Sequence, residues 1–522
     1  MTTARGKAQL PAEPEALAVE PAREAFARAY AAGKAQVVST RLVADLETPV
    51  SAMLKLAHGR PMSFLLESVE DGAVRGRYSV IGLAPDLIWR ASGTKAEINR
   101  TAQADAEAFV AEPDPPLVSL RRLLEASRIA LPADIPHIGA SVIGYMGYDM
   151  VRLVEDLPDV PPDSIGVPDS IFVRPTITVV FDSVKDEMIV ITPVWPNAGT
   201  SAGEAYAEAV ARLESVVAGL DEPVPHASIA PADVLASPEA VSNTTREEFF
   251  AKVAKAKEYI AAGDVFQVIV GQRFSAPFTL PSIALYRALR RTNPSPFLFH
   301  LDFGGFALVG SSPEILVRVR DGEVTIRPLA GTIRRGATPE EDKALEQKLL
   351  ADPKERAEHL MLVDLGRNDV GRVSEIGSVR VRESFVIERY SHVMHISSHV
   401  TGRLDKRHDV IDALMAGFPA GTLSGAPKVR AMEIIDELEK EKRGPYGGCV
   451  GYFSADGEMD SCIVLRTALV KDGRIYVQAG AGIVADSDAA AEQAECEAKS
   501  KALFKAAEEA VRFAKASRRG NR

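Results

Sequence analysis

Cysteine is scarce in this sequence: Cys449, Cys462 and Cys496 are the only three among 522 residues. An odd count is no disulfide framework, and none of the spacings suits a zinc site. Free thiols fit a reducing compartment, so a cytoplasmic location is expected. No apolar stretch reaches the length of a membrane span, so no membrane partner is expected. The N-terminus, MTTARGKAQLPAEPEALAVEPAREAF, has no apolar core and carries four glutamates, which excludes a signal peptide. An excess of basic charge is also missing. The formal net charge is -11, which argues against nucleic acid as a partner. Small anions remain open, because they need only a few local cations.

What is present is an ordinary globular composition, with 46% hydrophobic and 25% charged residues. Residues 1–25 are rich in Ala, Pro and Glu and are expected to be poorly ordered. An N-terminal domain is expected over 26–219. The segment 220–243, with Pro223, Pro225, Pro231 and Pro238, reads as a linker, and a catalytic domain is expected over 244–517. Thr245 and Glu248 form a capping box for a helix ending before Gly263. Thr338-Pro339 and Asp352-Pro353 start two more helices. Strands joined at Asp321-Gly322 are expected over 306–332. GTLSGAPK (421–428) reads as a turn opening a helix with Pro427 in its first turn. GGCVGYFS, CIVLRTALV and IYVQAGAGIV read as consecutive strands. A last helix follows from Asp486–Asp488. Helices and hairpins mix without a strict βαβ rhythm, which predicts an α+β fold.

Two E-x-x-E pairs stand out. Glu492, Glu495 and Lys499 share one face of the last helix, where an ordinary solvated Glu–Lys pair is the plainer reading. Glu355 and Glu358 repeat the spacing; Glu355 is also placed to cap its helix, whereas Glu358 is not. Such carboxylates on two helices offer hard oxygen ligands suited to Mg²⁺. Glu314 follows a Ser-Ser-Pro turn. Arg466 is a charge in an apolar strand, read either as half of a salt bridge or as a fork for a carboxylate. The glycines of QAGAG (478–482) let a ligand approach the backbone. His395, between Met394 and Ile396, is either a core histidine or a proton-transfer group. Gly447-Gly448-Cys449-Val450-Gly451 matches an amidotransferase elbow, but no histidine follows Cys449 to serve as its base, so that reading is rejected.

PLAGTIRRG, KERAEHLMLVDLGRNDVGRV, ERYSHVMHISSHVTG, FPAGTLSGAPKVRAMEIIDELE, YGGCVGYF, CIVLRTALV and QAGAGIVADSD stand in this order across roughly 245–510. Through them the chain resembles the chorismate-utilising enzymes, which include the anthranilate, aminodeoxychorismate, isochorismate and salicylate synthases. The resemblance implies an α+β fold, an antiparallel β-sandwich flanked by helices. It implies that Glu358 and Glu495 ligate Mg²⁺, with Glu492, Glu355 and Glu314 completing the acidic cluster. It implies that chorismate meets Gly331, Thr332, Tyr446, Arg466, Lys499 and the backbone of Gly480, Ala481 and Gly482. His395 and Thr422 would flank the reacting ring.

Two positions bear on the branch. Relatives that activate water use a lysine where this chain has Gln267, and glutamine is no base. Aminodeoxychorismate synthases commonly carry a lysine where this chain has Ala330. Both residues point to ammonia as nucleophile and anthranilate as product. SFLLESVEDGAVRGRYSVIG and NPSPFLFH resemble the tryptophan site of feedback-inhibited relatives. That implies a pocket of Glu67, Ser68, Pro296, Phe297, Leu298, Val450, Tyr452 and Cys462 with L-tryptophan as inhibitor. The resemblance also implies a separate glutamine amidotransferase subunit that supplies ammonia, in a heterotetramer. Aminodeoxychorismate synthesis, and a non-catalytic tryptophan sensor on the same fold, are the rival readings.

Overall fold

A computed structural model describes residues 17–70, 74–225, 239–390 and 393–517. Hydrogen bonds link 22 strands into one network, with helices packed around it. The strand pairings are antiparallel, as expected for an α+β chain built from hairpins. The N- and C-terminal halves are interleaved. Strand Ser63–Glu70 pairs with Phe297–Asp302, and Ser141–Met146 pairs with Cys449–Ser454. Three of the four apolar clusters draw on both halves. The stretches 26–219 and 244–517 therefore share their cores instead of packing as separate bodies.

Local signals explain most boundaries. The Arg246–Ala262 helix starts on the Thr245/Glu248 capping box and stops at Gly263, φ +85°. The Pro339–Ala351 and Pro353–Gly371 helices begin at Thr338 and Asp352, each with Pro in the first turn. Asp321 and Gly322, both at positive φ, turn strand Ile315–Arg320 into Glu323–Ile326. Some expectations need correction. Order begins before residue 25: Glu20 bridges to Ser39, and a helix starts at Arg23. The expected linker is trimmed at both ends, by a helix reaching Asp221 and a short strand at Val241–Ser242; 226–238 lie outside the described residues. Pro427 caps the Lys428–Leu438 helix instead of sitting in its first turn, because 425–426 pair with Gln267 and Val268. CIVLRTALV is not one strand: Met459–Ile463 ends, and Thr467–Lys471 begins beyond Arg466, which sits at φ +48°.

Candidate active site

The Arg474–Ile483 strand runs antiparallel to Gln267–Pro277, with Gly480 opposite Gly271 and Gly482 opposite Ile269. A cavity of about 180 Å³ opens against this pair. Its lining brings together Glu314, Thr332, His395, Thr422, Tyr446, Arg466, Gly480, Gly482 and Lys499, residues spread over 186 positions (499 less 314, counted inclusively). Ala330 lines it too. The break at Arg466 has a purpose here: the left-handed residue leaves the strand and carries its guanidinium to the cavity. No carboxylate lies within ion-pair distance of it among the described residues, so the salt-bridge reading is not realised. Burial presses its pKa down, and the Tyr390 and Glu314 environment offsets this only in part. A half-buried guanidinium without a counter-charge has given up part of its hydration with nothing in return. An anionic ligand removes that cost.

Two acid–base groups face the same space, and burial favours the neutral form of each. Burial pushes the Glu314 carboxyl up to about 8, although Thr422 Oγ1 donates to it at 3.2 Å. It is therefore mostly protonated at neutral pH. His395 is 7% exposed, and burial with the nearby Arg466 charge lowers its pKa to about 4. Its Nδ1 lies 3.0 Å from the Gly331 carbonyl, which only accepts, and 3.1 Å from the Thr332 hydroxyl, which can do either, so a hydrogen on Nδ1 satisfies both. Nε2 is then a bare acceptor, with no partner among the described residues. Lys499 Nζ donates to Gly480 O at 2.9 Å and also pairs with Glu495 at 2.7 Å, the i,i+4 pair of the plainer reading. The glycines admit neighbours as well as ligand. A Cβ at Gly480 would lie 3.2 Å from the Tyr446 hydroxyl, and one at Gly482 would lie 2.7 Å from Gln267 Nε2.

Other expected residues stand outside this lining. Gly331, at φ +62°, contributes its carbonyl to His395. Ala481 is fully buried on the opposite face of its strand, in the core with Val268. Gln267 lies deeper, and its Nε2 donates to Glu358 Oε1 at 3.1 Å. Glu355 does not close a capping box: Asp352 alone caps, and the Glu355 carboxylate faces Gly331. Burial, then the Glu358, Asp352 and Glu495 charges, raise the Glu355 pKa. Burial and Glu495 likewise raise Glu492. The Pro353–Gly371 and Ala489–Ser517 helices thus bring four carboxylates into mutual repulsion beside the cavity. No three His, Cys, Asp or Glu side chains converge as a closed ion cage among the described residues. Repelling oxygen donors with room for water nonetheless suit Mg²⁺, which keeps several of its waters. Sequence reasoning missed Gln478, Leu465, Ile269 and Leu423 as wall residues, and Tyr390, whose ring stands edge-on to His395 at 5.4 Å. Gln478 and Tyr390 sat inside QAGAG and ERYSH, which were read for their glycines and histidine.

A second cavity, about 770 Å³, lies on the other side of strand Met459–Ile463. Glu67, Ser68, Phe297, Leu298, Val450, Tyr452 and Cys462 all line it; Pro296 does not. Glu67 reaches it with little free charge. Arg290 forks onto its carboxylate at 2.7 and 2.8 Å, and the Tyr286 hydroxyl donates to it. Cys449 starts a strand, is 2% exposed, and burial pushes its thiol up to about 12, the reverse of a nucleophile.

Fold and site together define a chorismate-binding enzyme, and the chain belongs to that family: the family model matches residues 84–505. Within it, the chain is similar to proteins named anthranilate synthase component 1. That of Cereibacter sphaeroides is 57% identical over 498 residues, covering 95% of this chain and 99% of that one. That of Pseudomonas putida is 47% identical, covering 93% and 98%. The crystal structure of anthranilate synthase component I from Streptococcus pneumoniae superposes with a TM-score of 0.72 at 37% identity, covering 89% of this chain and 98% of that one. Among the described residues, no helix is long and apolar enough to cross a membrane.

Proposed function

We propose that this chain is the chorismate-using component of an anthranilate synthase, converting chorismate and ammonia to anthranilate and pyruvate. The observation that carries the reading is the half-buried Arg466 guanidinium, without a carboxylate partner among the described residues, at a cavity that also holds a protonated acid and an unprotonated base. Arg466 and Tyr446 bind the enolpyruvyl carboxylate. Ammonia adds at C2 of the ring, and the C4 hydroxyl leaves as water with the proton that Glu314 holds. The added ammonium's surplus proton restores Glu314; the neutral His395 Nε2 then takes the C2 proton, the C3–O bond breaks, the enolpyruvyl methylene gains that proton to give pyruvate, and the ring becomes aromatic. Thr422 orients Glu314 through their hydrogen bond. Gln267 has no proton-accepting role; it braces Glu358. The acidic set fits Mg²⁺, with Glu358 and Glu495 as ligands and Glu492 and Glu355 beside them. When bound, the ion neutralises the substrate's ring carboxylate among these acids and assists departure of the hydroxyl.

Ammonia comes from a separate glutamine amidotransferase subunit, in a heterotetramer; the inert Cys449 supports this. L-Tryptophan occupies the larger cavity and inhibits, with the Ser68 end and the aromatic wall receiving it. Glu67, already bound by Arg290 and Tyr286, acts there by holding the Ser63–Glu70 strand in place. A cytoplasmic location fits three buried free thiols. Incubation with chorismate, Mg²⁺ and ammonium, with and without tryptophan, tests the reading. Anthranilate is expected, suppressed by tryptophan. The para isomer or isochorismate would place the chain in another branch; tryptophan binding without turnover would make it a sensor.

A further inference from the structure

Behind the catalytic cavity lies a buried ion pair, Arg443–Glu439, whose side chains are 2% and 4% exposed. Neither residue lines the cavity, yet three of the pair's four outward hydrogen bonds end on its wall. Arg443 forks onto Glu439 through Nε at 3.0 Å and Nη2 at 2.6 Å. Nη1 donates to Leu423 O at 2.6 Å, next to Thr422, and Nη2 donates to Ile269 O at 2.9 Å. The guanidinium stacks 5.6 Å from the Tyr446 ring and 4.7 Å from that of Tyr148. Glu439 accepts the Gly271 N–H at 2.8 Å and Gln478 Nε2 at 3.3 Å. Leu423, Ile269, Tyr446 and Gln478 all line the cavity.

The Gln478 contact fixes the amide's orientation. A carboxylate only accepts, so the NH₂ must face Glu439 and the oxygen must face away. That oxygen is buried and has no partner among the described residues. The pair therefore aims an acceptor as well as tying a turn, two strands and a tyrosine together. A buried ion pair contributes little net stability, because desolvation offsets its attraction. A planar fork that spans two carbonyls and a carboxylate instead fixes relative position, which a lysine does not do.

We propose that Arg443 and Glu439 are a positioning pair that sets Thr422, Tyr446 and Gln478 in the wall of the catalytic cavity. The proposal rests on that cavity being the chorismate site. Arg443→Lys keeps the charge but loses the fork. The double variant E439L/R443M removes both charges and leaves no lone ion buried. Each is assayed for kcat, for KM of chorismate and of ammonium, and for melting temperature. Both variants are expected to raise the chorismate KM roughly tenfold or more, while the ammonium KM stays within about twofold. A merely structural pair lowers the folded fraction, which reduces kcat and leaves KM alone. Folded variants with an unchanged chorismate KM overturn the proposal. Arg443→Lys, the milder change, decides it if the double variant does not fold. Wild-type protein that forms no anthranilate overturns the chorismate reading beneath it instead.

Discussion

Arg466 shows function and stability pulling apart at one residue. Its charge is partly desolvated with no counter-ion among the described residues, and its backbone occupies the left-handed region at φ +48°. Arg466→Met removes the charge without opening a large void. The melting temperature is expected to hold or rise, while KM for chorismate rises about a hundredfold; thermal unfolding and steady-state kinetics check both. Glu314 and His395 set the pH range. The proposed mechanism needs Glu314 protonated, below about 8, and His395 neutral, above about 4. The kcat/KM profile is expected to be flat between these values and to fall on the alkaline side; Glu314→Gln, which holds no acidic proton, is expected to lose roughly a hundredfold or more in rate and to leave a residual rate without that limb. Glu314 also couples pH to stability. Its folded pKa lies above the unfolded carboxyl value, so the folded state binds the extra proton. Stability is full below the unfolded value and is lost as pH rises towards 8. Glu314→Gln is therefore expected to stabilise more at pH 8 than at pH 5, read by melting at the two pH values. Arg466 was legible in the sequence as a charge among apolar residues. The strand break around it was not, because CIVLRTALV holds no Gly, Pro, Asn or Asp to announce a turn.

Among the elements, the helices were the most legible, because their starts are written in local chemistry. Thr245, Thr338 and Asp352 cap as their neighbours predict. What the spacing of Glu355, Glu358, Glu492 and Glu495 did not reveal is where their carboxylates turn. Glu355 leaves its cap to Asp352 and joins the cavity side, a tertiary preference that outweighs the local one. Asp352→Ala, which frees the Lys354 and Glu355 N–H groups, is expected to cost about 1 kcal/mol by chemical denaturation. Glu358→Gln is expected to abolish Mg²⁺-dependent turnover while keeping the fold. Unchanged activity across a Mg²⁺ titration would contradict the proposed metal role. The strands were legible as strands but not as partners. The pairing of Gly271 with Gly480, or of Cys449 with Met146, joins residues far apart in the chain, and no local pattern carries that information.

At the scale of the molecule, the two halves form one sheet network and share three cores. Residues 244–517 expressed alone are therefore expected to lack cooperative unfolding, as read by calorimetry, because Phe297–Asp302 and Cys449–Ser454 would lose their partner strands. The same interleaving places the two cavities back to back. Cys462 lines the larger one, and the next residue, Ile463, donates its N–H to Glu314 O at 3.0 Å, behind the acid of the smaller one. The order of motifs along the sequence placed the catalytic residues together; their depth, partners and ionisation came only from the packing. The most direct measurement is the identity of the product formed from chorismate, Mg²⁺ and ammonium, resolved by fluorescence and mass. The account predicts anthranilate and pyruvate in equal amounts, both reduced by tryptophan. The para-substituted amine, isochorismate, or no turnover by folded protein would contradict it.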